Sequence, residues 1–319
     1  MAVMVYLLFV LGLYLLVKSA DLIVDSSSSM AKKLGVSSLV IGLTVVAFGT
    51  SLPELVVNVI AAFKGAAEVS FGNIVGSNIA NILLVLGVTA LITNIKVKSS
   101  TVWGQIPFAL LAAFVFFVLT SKVFLGGGEF FTRSDGLIFL ALFAMFLYYT
   151  FNMARKDRTK LEDTGDAHDS NWKIGGMFAI GLVGIYFGGR WVVEGAVFVA
   201  GQFGLSEYLI SATIVALGTS LPELVVSVRA AIKGNIDLAV GNVVGSNIFN
   251  LLWVFGVIPF IGAIEIPAFI GFEIGIMFLA TLLLFVFMFM WSKNELRKKE
   301  GVIFLLLYVL YIAYLIVRG

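Results

Sequence analysis

The chain has 319 residues, 60% of them hydrophobic and only 13% charged, with a mean hydropathy of +1.06. An ordinary soluble domain carries about a quarter charged residues, so this class is excluded. The net charge of +2 and the absence of cysteine exclude a nucleic-acid surface, disulfides, thiolate metal sites and cysteine nucleophiles.

In chain order, apolar runs between charged or Gly/Ser/Asn-rich breaks predict ten membrane spans. They lie at 2–29, 36–62, 69–93, 103–123, 134–153, 173–200, 206–231, 237–263, 267–291 and 300–317. The first opens at Met1 with neither a charged leader nor a small-residue cleavage site, and reads as a retained helix. Within it Lys18 reads as a snorkelling side chain, as does Arg190 in the sixth span. Asp25 and Glu194, near span ends, read as caps or solvated loop groups. Trp103, Trp172 and Trp291 read as interfacial anchors. The one hydrophilic stretch, "KDRTKLEDTGDAHDSNWK", contains the only histidine, His168, which reads as solvated. No phosphate-binding GxxxxGK[ST] loop occurs, and no soluble portion is large enough for an ATPase, so the chain does not read as an enzyme. No cofactor, nucleic acid or obligatory protein partner is implied; the partners are the lipid bilayer and small ions.

Shifting the chain by 169 places Thr44–Val88 on Thr213–Val257 without a gap, and about two-thirds of the aligned positions are identical. "GTSLPE" recurs at 49–54 and 218–223, and "GNIVGSNIANILLVLGV" meets "GNVVGSNIFNLLWVFGV". Chance apolar similarity exchanges Leu for Val; it does not align Pro, Glu, Ser, Asn and Gly. Five spans per copy is an odd number, so the second copy threads the membrane in the opposite sense. The expected fold is an all-α polytopic membrane protein, ten transmembrane helices in two inverted-topology repeats of five. Residues 1–153 form the first repeat, 154–172 a cytoplasmic connecting loop and 173–319 the second repeat. Lys/Arg placement favours both termini outside and the connecting loop in the cytoplasm, in a membrane expected to be a prokaryotic cell membrane.

A carboxylate at mid-membrane costs about 2.5–3.5 kcal/mol on insertion scales, yet each motif buries one, beside a proline. Pro53 removes a backbone donor and clashes with the carbonyl of Gly49, so the helix is expected to open and free carbonyls near Ala47 and Phe48. Thr50, Ser51 and Glu54 share a helix face, and Asn73, Ser77 and Asn81 form a polar stripe at every fourth residue. The second copy repeats both sets as Thr219, Ser220 and Glu223, then Asn242, Ser246 and Asn250. All these donors are oxygen, which suits Ca²⁺, Na⁺ or Mg²⁺ rather than zinc or copper, and flexible coordination favours Ca²⁺ over Mg²⁺. Two carboxylates neutralise one Ca²⁺ or two Na⁺. Asn73, Asn78, Asn242 and Asn247 read equally as packing groups or ion contacts. Gly72, Gly76, Gly241 and Gly245 read as close-packing positions.

Two copies of "GTSLPE" followed by "GN-x-VGSNI-x-N" in two sets of five spans resemble the sodium/calcium exchanger family of the cation/calcium exchanger superfamily, in a prokaryotic-type form with two alpha-repeats. The resemblance implies a secondary active antiporter that exchanges Ca²⁺ for Na⁺ by alternating access. It implies metal ligands at Thr50, Ser51, Glu54, Ser77 and Asn81, and at Thr219, Ser220, Glu223, Ser246 and Asn250. Carbonyls of Ala47 and Ala216 assist, and the first and sixth spans slide to switch access. Several relatives carry Asp where this chain has Asn250, which leaves two core carboxylates and disfavours potassium dependence. A proton/calcium exchanger built on the same glutamates is the alternative, and a cation channel a further one. With three Na⁺, the family's usual number, exchange against one Ca²⁺ moves net charge.

Overall fold

The computed structural model describes residues 2–96, 99–120, 130–158, 170–203, 216–267, 270–291 and 294–318. Apolar runs in a hydrocarbon phase must satisfy their backbone internally, and here they do so as helices. In chain order these are α1 (Ala2–Leu34), α2 (Ser38–Thr50), α3 (Leu52–Phe63), α4 (Ala67–Ile92), α5 (Ser99–Thr120), α6 (Arg133–Arg158) and α7 (Asn171–Gln202). They continue as α8 (Ala216–Gly218), α9 (Leu221–Ile232), α10 (Ile236–Phe260), α11 (Ile270–Val286) and α12 (Lys298–Arg318).

Seven helices among the described residues are long and apolar enough to cross a membrane, and α2 with α3 makes an eighth span, bent by 45°. The apolar helix Gly104–Thr120 is shorter. The expected count is therefore met only in part. The span expected at 206–231 begins in residues outside the described set, as do His168 and the side chains of Trp103 and Trp291. Trp172 is 92% exposed, as an interfacial anchor requires.

Two very short strand pairs qualify the all-helical expectation. β1 (Ile95–Lys96) pairs antiparallel with β4 (Glu295–Leu296), and β2 (Phe130–Phe131) with β3 (Ile264–Glu265). The same shift of 169 carries β1 onto β3, so the strand after α4 and the strand after α10 each join the strand preceding the other half's last helix.

Glycine sets the turns between the motif helices. Gly65 (φ +65°) and Gly234 (φ +77°) adopt left-handed backbone, and each closes a Schellman cap. Ala66 N donates to Ala61 O at 2.9 Å, and Asn235 N donates to Ala230 O at 2.8 Å. These caps reverse the chain, so that each motif helix folds back beside its polar-striped partner, α4 or α10.

α4 and α10 form the centre: 78% and 83% of their apolar windows are buried, against 44% or less for the other long spans. The apolar face of α4 packs with α11 and α12 and that of α10 with α5 and α6, around a ring cluster of Phe71, Phe116, Phe131, Phe139 and Phe255. α2 crosses α10 at backbone contact. A Cβ on Gly42 would lie 2.8 Å from Leu238 O, and one on Gly241 would lie 2.8 Å from Leu39 O. Gly241 and Gly245 are close-packing positions, as expected, whereas nothing lies within 4 Å of a Cβ added at Gly72 or Gly76, which are not.

α1 lies along α7 through a second glycine seam. A Cβ on Gly12 would meet Gly188 O at 2.9 Å, and one on Gly181 would meet Ser19 O at 3.1 Å. Small residues on facing helices let two backbones approach where hydrophobic drive is absent.

Asp25 is exposed, as expected of a solvated group near a span end, and it also joins an ion pair. Its Oδ1 lies 2.7 Å from Lys233 Nζ, and Asp21 Oδ1 accepts from Arg229 Nη2 at 2.6 Å and Nε at 2.9 Å. Glu194 likewise pairs with Arg190, 2.7 Å away and one helical turn before it. Helix–helix docking supplies partners that spacing along one helix does not show. Arg229→Ala removes the Asp21–Arg229 tie between α1 and α9 and leaves those of Lys233. We expect a loss of about 1 kcal/mol, because the pair is partly exposed, read as a thermal midpoint a few degrees lower in detergent. An unchanged midpoint would show that the pair is fully screened.

Candidate functional site

The bend between α2 and α3 follows from Pro53, which stands in the first turn of α3. Pro222 occupies the same place in α9. A proline in a first helical turn sacrifices a donor that is unpaired anyway, so the chain restarts a helix and aims Glu54 or Glu223 inward. Both glutamates are fully buried. Where α4 and α10 carry Asn81 and Asn250, each helix widens into a π turn, at Asn81–Leu86 and Phe249–Val254. Such turns displace backbone and recur at functional sites.

Docking brings the two motif copies together. Ser51 Oγ donates to Glu223 Oε1 at 2.9 Å, and Ser246 Oγ donates to the same oxygen at 3.2 Å. Thr50 Oγ1 donates to Asn242 Oδ1 at 3.0 Å and lies 3.4 Å from Ser246 Oγ. On the other side Asn73 Nδ2 donates to Thr219 Oγ1 at 3.2 Å, with Ser77 Oγ 3.3 Å from that hydroxyl. Asn81 Nδ2 donates to Asn247 Oδ1 at 3.0 Å, Asn250 Nδ2 to Asn78 Oδ1 at 3.5 Å, and Asn247 Nδ2 to the Asn78 carbonyl at 3.2 Å. Almost every bond joins a residue of one copy to a residue of the other.

After these bonds, six buried oxygens of the predicted set keep no donor: Glu54 Oε1 and Oε2, Glu223 Oε2, Asn81 Oδ1, Asn250 Oδ1 and Ser220 Oγ. A buried acceptor without a partner costs free energy unless something electropositive meets it. Ser51 and Ser246 spend their donors on Glu223 and the amides spend theirs on other amides, hydroxyls or backbone, and the oxygens left open are hard donors suited to a hard cation. Among the described residues no group of three or more His, Cys, Asp or Glu gathers, so the acidic content here is the two glutamates. A cavity of about 230 Å³, bounded by Gly49, Thr50, Leu52, Pro53, Leu182 and Tyr186, abuts the bend.

Hydrogen bonds between the copies hold Thr50 with Ser246, Ser51 with Glu223 and Ser77 with Thr219, and tie Asn81 to Asn247 and Asn250 to Asn78; Glu54 and Ser220 are buried without a side-chain partner, and the two carbonyl expectations fare differently. The Ala47 carbonyl is not freed: it accepts from Ser51 N at 3.0 Å and lies 3.4 Å from Thr50 Oγ1. The helix bends without unwinding there, and only the oxygen's second lone pair remains. Ala216 opens the short helix α8, and its side-chain surroundings lie outside the described residues. Of the four amides read equally as packing or ion contact, Asn73 and Asn242 bind the threonines, while Asn78 and Asn247 hold Asn250 and Asn81. The sequence reading missed Asn58 and Ser227. Asn58 Nδ2 donates to Asn73 Oδ1 at 2.8 Å and to the Glu54 carbonyl at 2.7 Å, and Ser227 Oγ accepts from Asn242 Nδ2 at 3.0 Å. Each stands four residues after its glutamate, so extending the helix-face spacing by one turn would have found them.

A helical membrane protein in which two related helices, each with a proline in its first turn, bury one carboxylate apiece belongs to the class of secondary transporters. The family model for sodium/calcium exchanger protein matches residues 4–152 and 173–317. The sodium/calcium exchanger MaX1 of Methanosarcina acetivorans is 33% identical over 344 residues, covering 97% of this chain and 98% of that protein. The inner membrane protein YrbG of Escherichia coli is 36% identical over 257 residues, covering 78% and 77%. A solved structure of the sodium-calcium exchanger NCX_Mj, soaked with 2.5 mM Na⁺ and 0.1 mM Ca²⁺, superposes with a TM-score of 0.80 at 32% identity, covering 98% of this chain and 99% of the other. The chain belongs to the sodium/calcium exchanger family: it is a multi-pass integral membrane transporter of the antiporter type, and not an enzyme.

Proposed function

We propose that this protein exchanges Ca²⁺ for Na⁺ by alternating access, with Glu54 and Glu223 holding the ions. Thr50, Ser51, Ser77, Asn81, Thr219, Ser220, Ser246 and Asn250 complete the coordination, and the carbonyls of Ala47 and Ala216 assist. The six buried oxygens without a donor, three of them the carboxylates' own, carry this reading. The ions that accompany NCX_Mj in its solved structures, Na⁺ with Ca²⁺ or Sr²⁺, support it by similarity.

Two carboxylates that face each other in low dielectric resist burial while empty. One Ca²⁺ or several Na⁺ removes that penalty, so the switch between access states requires a loaded site. Loading is what couples the two ions. The reciprocal strand pairing and the gapless 169-residue shift support ten spans in two inverted repeats, 1–153 and 173–319, joined by a cytoplasmic loop at 154–172. Both termini then lie outside a prokaryotic cell membrane. α1 and α7, joined along their glycine seam, are the elements that slide.

Three Na⁺ against one Ca²⁺ moves one net charge, worth about 2.3 kcal/mol per 100 mV. The test is ⁴⁵Ca²⁺ uptake into vesicles preloaded with Na⁺, with voltage set by a K⁺ ionophore. Uptake that requires the outward Na⁺ gradient and changes with clamped voltage is expected. Uptake driven only by a pH gradient would overturn sodium coupling in favour of protons. Uptake that needs no counter-ion would indicate a channel.

A further inference from the structure

The first half buries unpartnered oxygens, at Asn58 and Ser70, that have no counterpart in the second half. Asn58 and Ser70 are both fully buried, and neither Asn58 Oδ1 nor Ser70 Oγ finds a hydrogen-bond partner. The Asn58 amide is anchored through its nitrogen, to Asn73 Oδ1 and to the Glu54 carbonyl. Ser70 precedes Asn73 by three residues and so shares its face of α4, one turn nearer the Gly65 cap. Along that face the order from the cap inward is Ser70, Asn73, Ser77, Asn81.

The shift of 169 carries Asn58 onto Ser227 and Ser70 onto Ala239. Ser227 Oγ is satisfied by Asn242 Nδ2 at 3.0 Å, and Ala239 offers no oxygen. The polar path therefore continues beyond the paired glutamates toward one face of the protein only.

We propose that Asn58, Ser70 and Asn73 form a sodium waystation between the Gly65 turn and Glu54. These three donors are neutral amide and hydroxyl oxygens. A divalent ion needs carboxylate ligands to repay its lost hydration, whereas a partly hydrated monovalent ion does not. The site is contiguous with the ion centre, because Asn58 also binds the Glu54 backbone. It rests on the sodium-coupled reading above, and its effect is one-sided because the opposite half has no equivalent.

The experiment measures Na⁺-driven Ca²⁺ exchange in vesicles holding the protein in a single orientation, titrating Na⁺ separately from each face. Ser70→Ala and Asn58→Ser, each introducing the second half's own residue, are compared with the wild type. The expected result is a roughly fivefold higher half-saturating Na⁺ concentration on the Gly65 face, the size of one neutral polar contact, with no change on the opposite face. Unchanged values on both faces overturn the waystation. An equal shift on both faces, or a lowered thermal midpoint that accounts for it, also overturns it by making these residues structural. A wild-type protein that shows no Na⁺ dependence refutes sodium coupling itself, so the two failures are told apart by the wild-type arm.

Discussion

Glu54→Gln and Glu223→Gln each abolish exchange, lowering Ca²⁺ uptake by roughly 10²-fold or more, the scale set by breaking one buried charge pairing. The substitution keeps shape and volume, so only charge and one acceptor are lost. Two carboxylates balance Ca²⁺, and a single one leaves a net positive charge among neutral amides and hydroxyls. The same variants carry a signature opposite to that of a damaged fold. In ion-free buffer each should melt higher than wild type, because an unpaired carboxylate has been removed from a dry interior. Added Ca²⁺ then stabilises the wild type and not the variants. Exchange at wild-type rate in either variant would refute the ion-site assignment. A variant that melts lower and also fails to transport would instead assign that glutamate a structural role.

Gly245→Val should prevent accumulation of folded protein, at a cost of about 3 kcal/mol or more for overpacking an interior that cannot yield. A Cβ there would lie 2.7 Å from both Leu43 O and Ala47 Cβ, and 2.8 Å from Leu43 Cα. Two of those atoms are backbone of α2, so no rotamer change makes room. The helices would have to part, and that separates Thr50 from Asn242 and Ser246, and Ser51 from Glu223. Gly175→Ala is the control: nothing lies within 4 Å of its added Cβ, and alanine favours a helix over glycine. Expression and monodispersity in detergent read the outcome. A well-folded, active Gly245→Val protein would show that the α2–α10 crossing tolerates displacement and does not set the ion centre.

Much of this was legible before any coordinates, because membrane burial leaves few polar residues without a purpose. The repeat, the two glutamates, the prolines and the two stripes of Asn and Ser stand out against an apolar background, and most of the predicted side chains are hydrogen-bonded across the two copies. The partners of Asp21 and Asp25 were not legible. Arg229 and Lys233 lie about 200 positions away on a helix whose docking face is set by packing. Asn58 was overlooked because the polar stripe was ended at Glu54, although the same four-residue step continues it.

By itself the sequence determined the membrane environment, the duplication and the oxygen-only chemistry of the site, since each follows from composition, register and residue type. Only the tertiary structure decided which donors are spent and which oxygens remain open. That depends on distances across the interface between the two halves. Ser51 serves Glu223 of the other half, Asn81 spends its nitrogen on Asn247, and the Ala47 carbonyl stays in its helix. A hydrogen bond acts over about 3 Å, whereas a sequence specifies only which groups a residue carries. That the copies differ at Asn58 and Ser70 is written in the sequence as Ser227 and Ala239, but that the oxygens of Asn58 and Ser70 stay without partners was decided by packing.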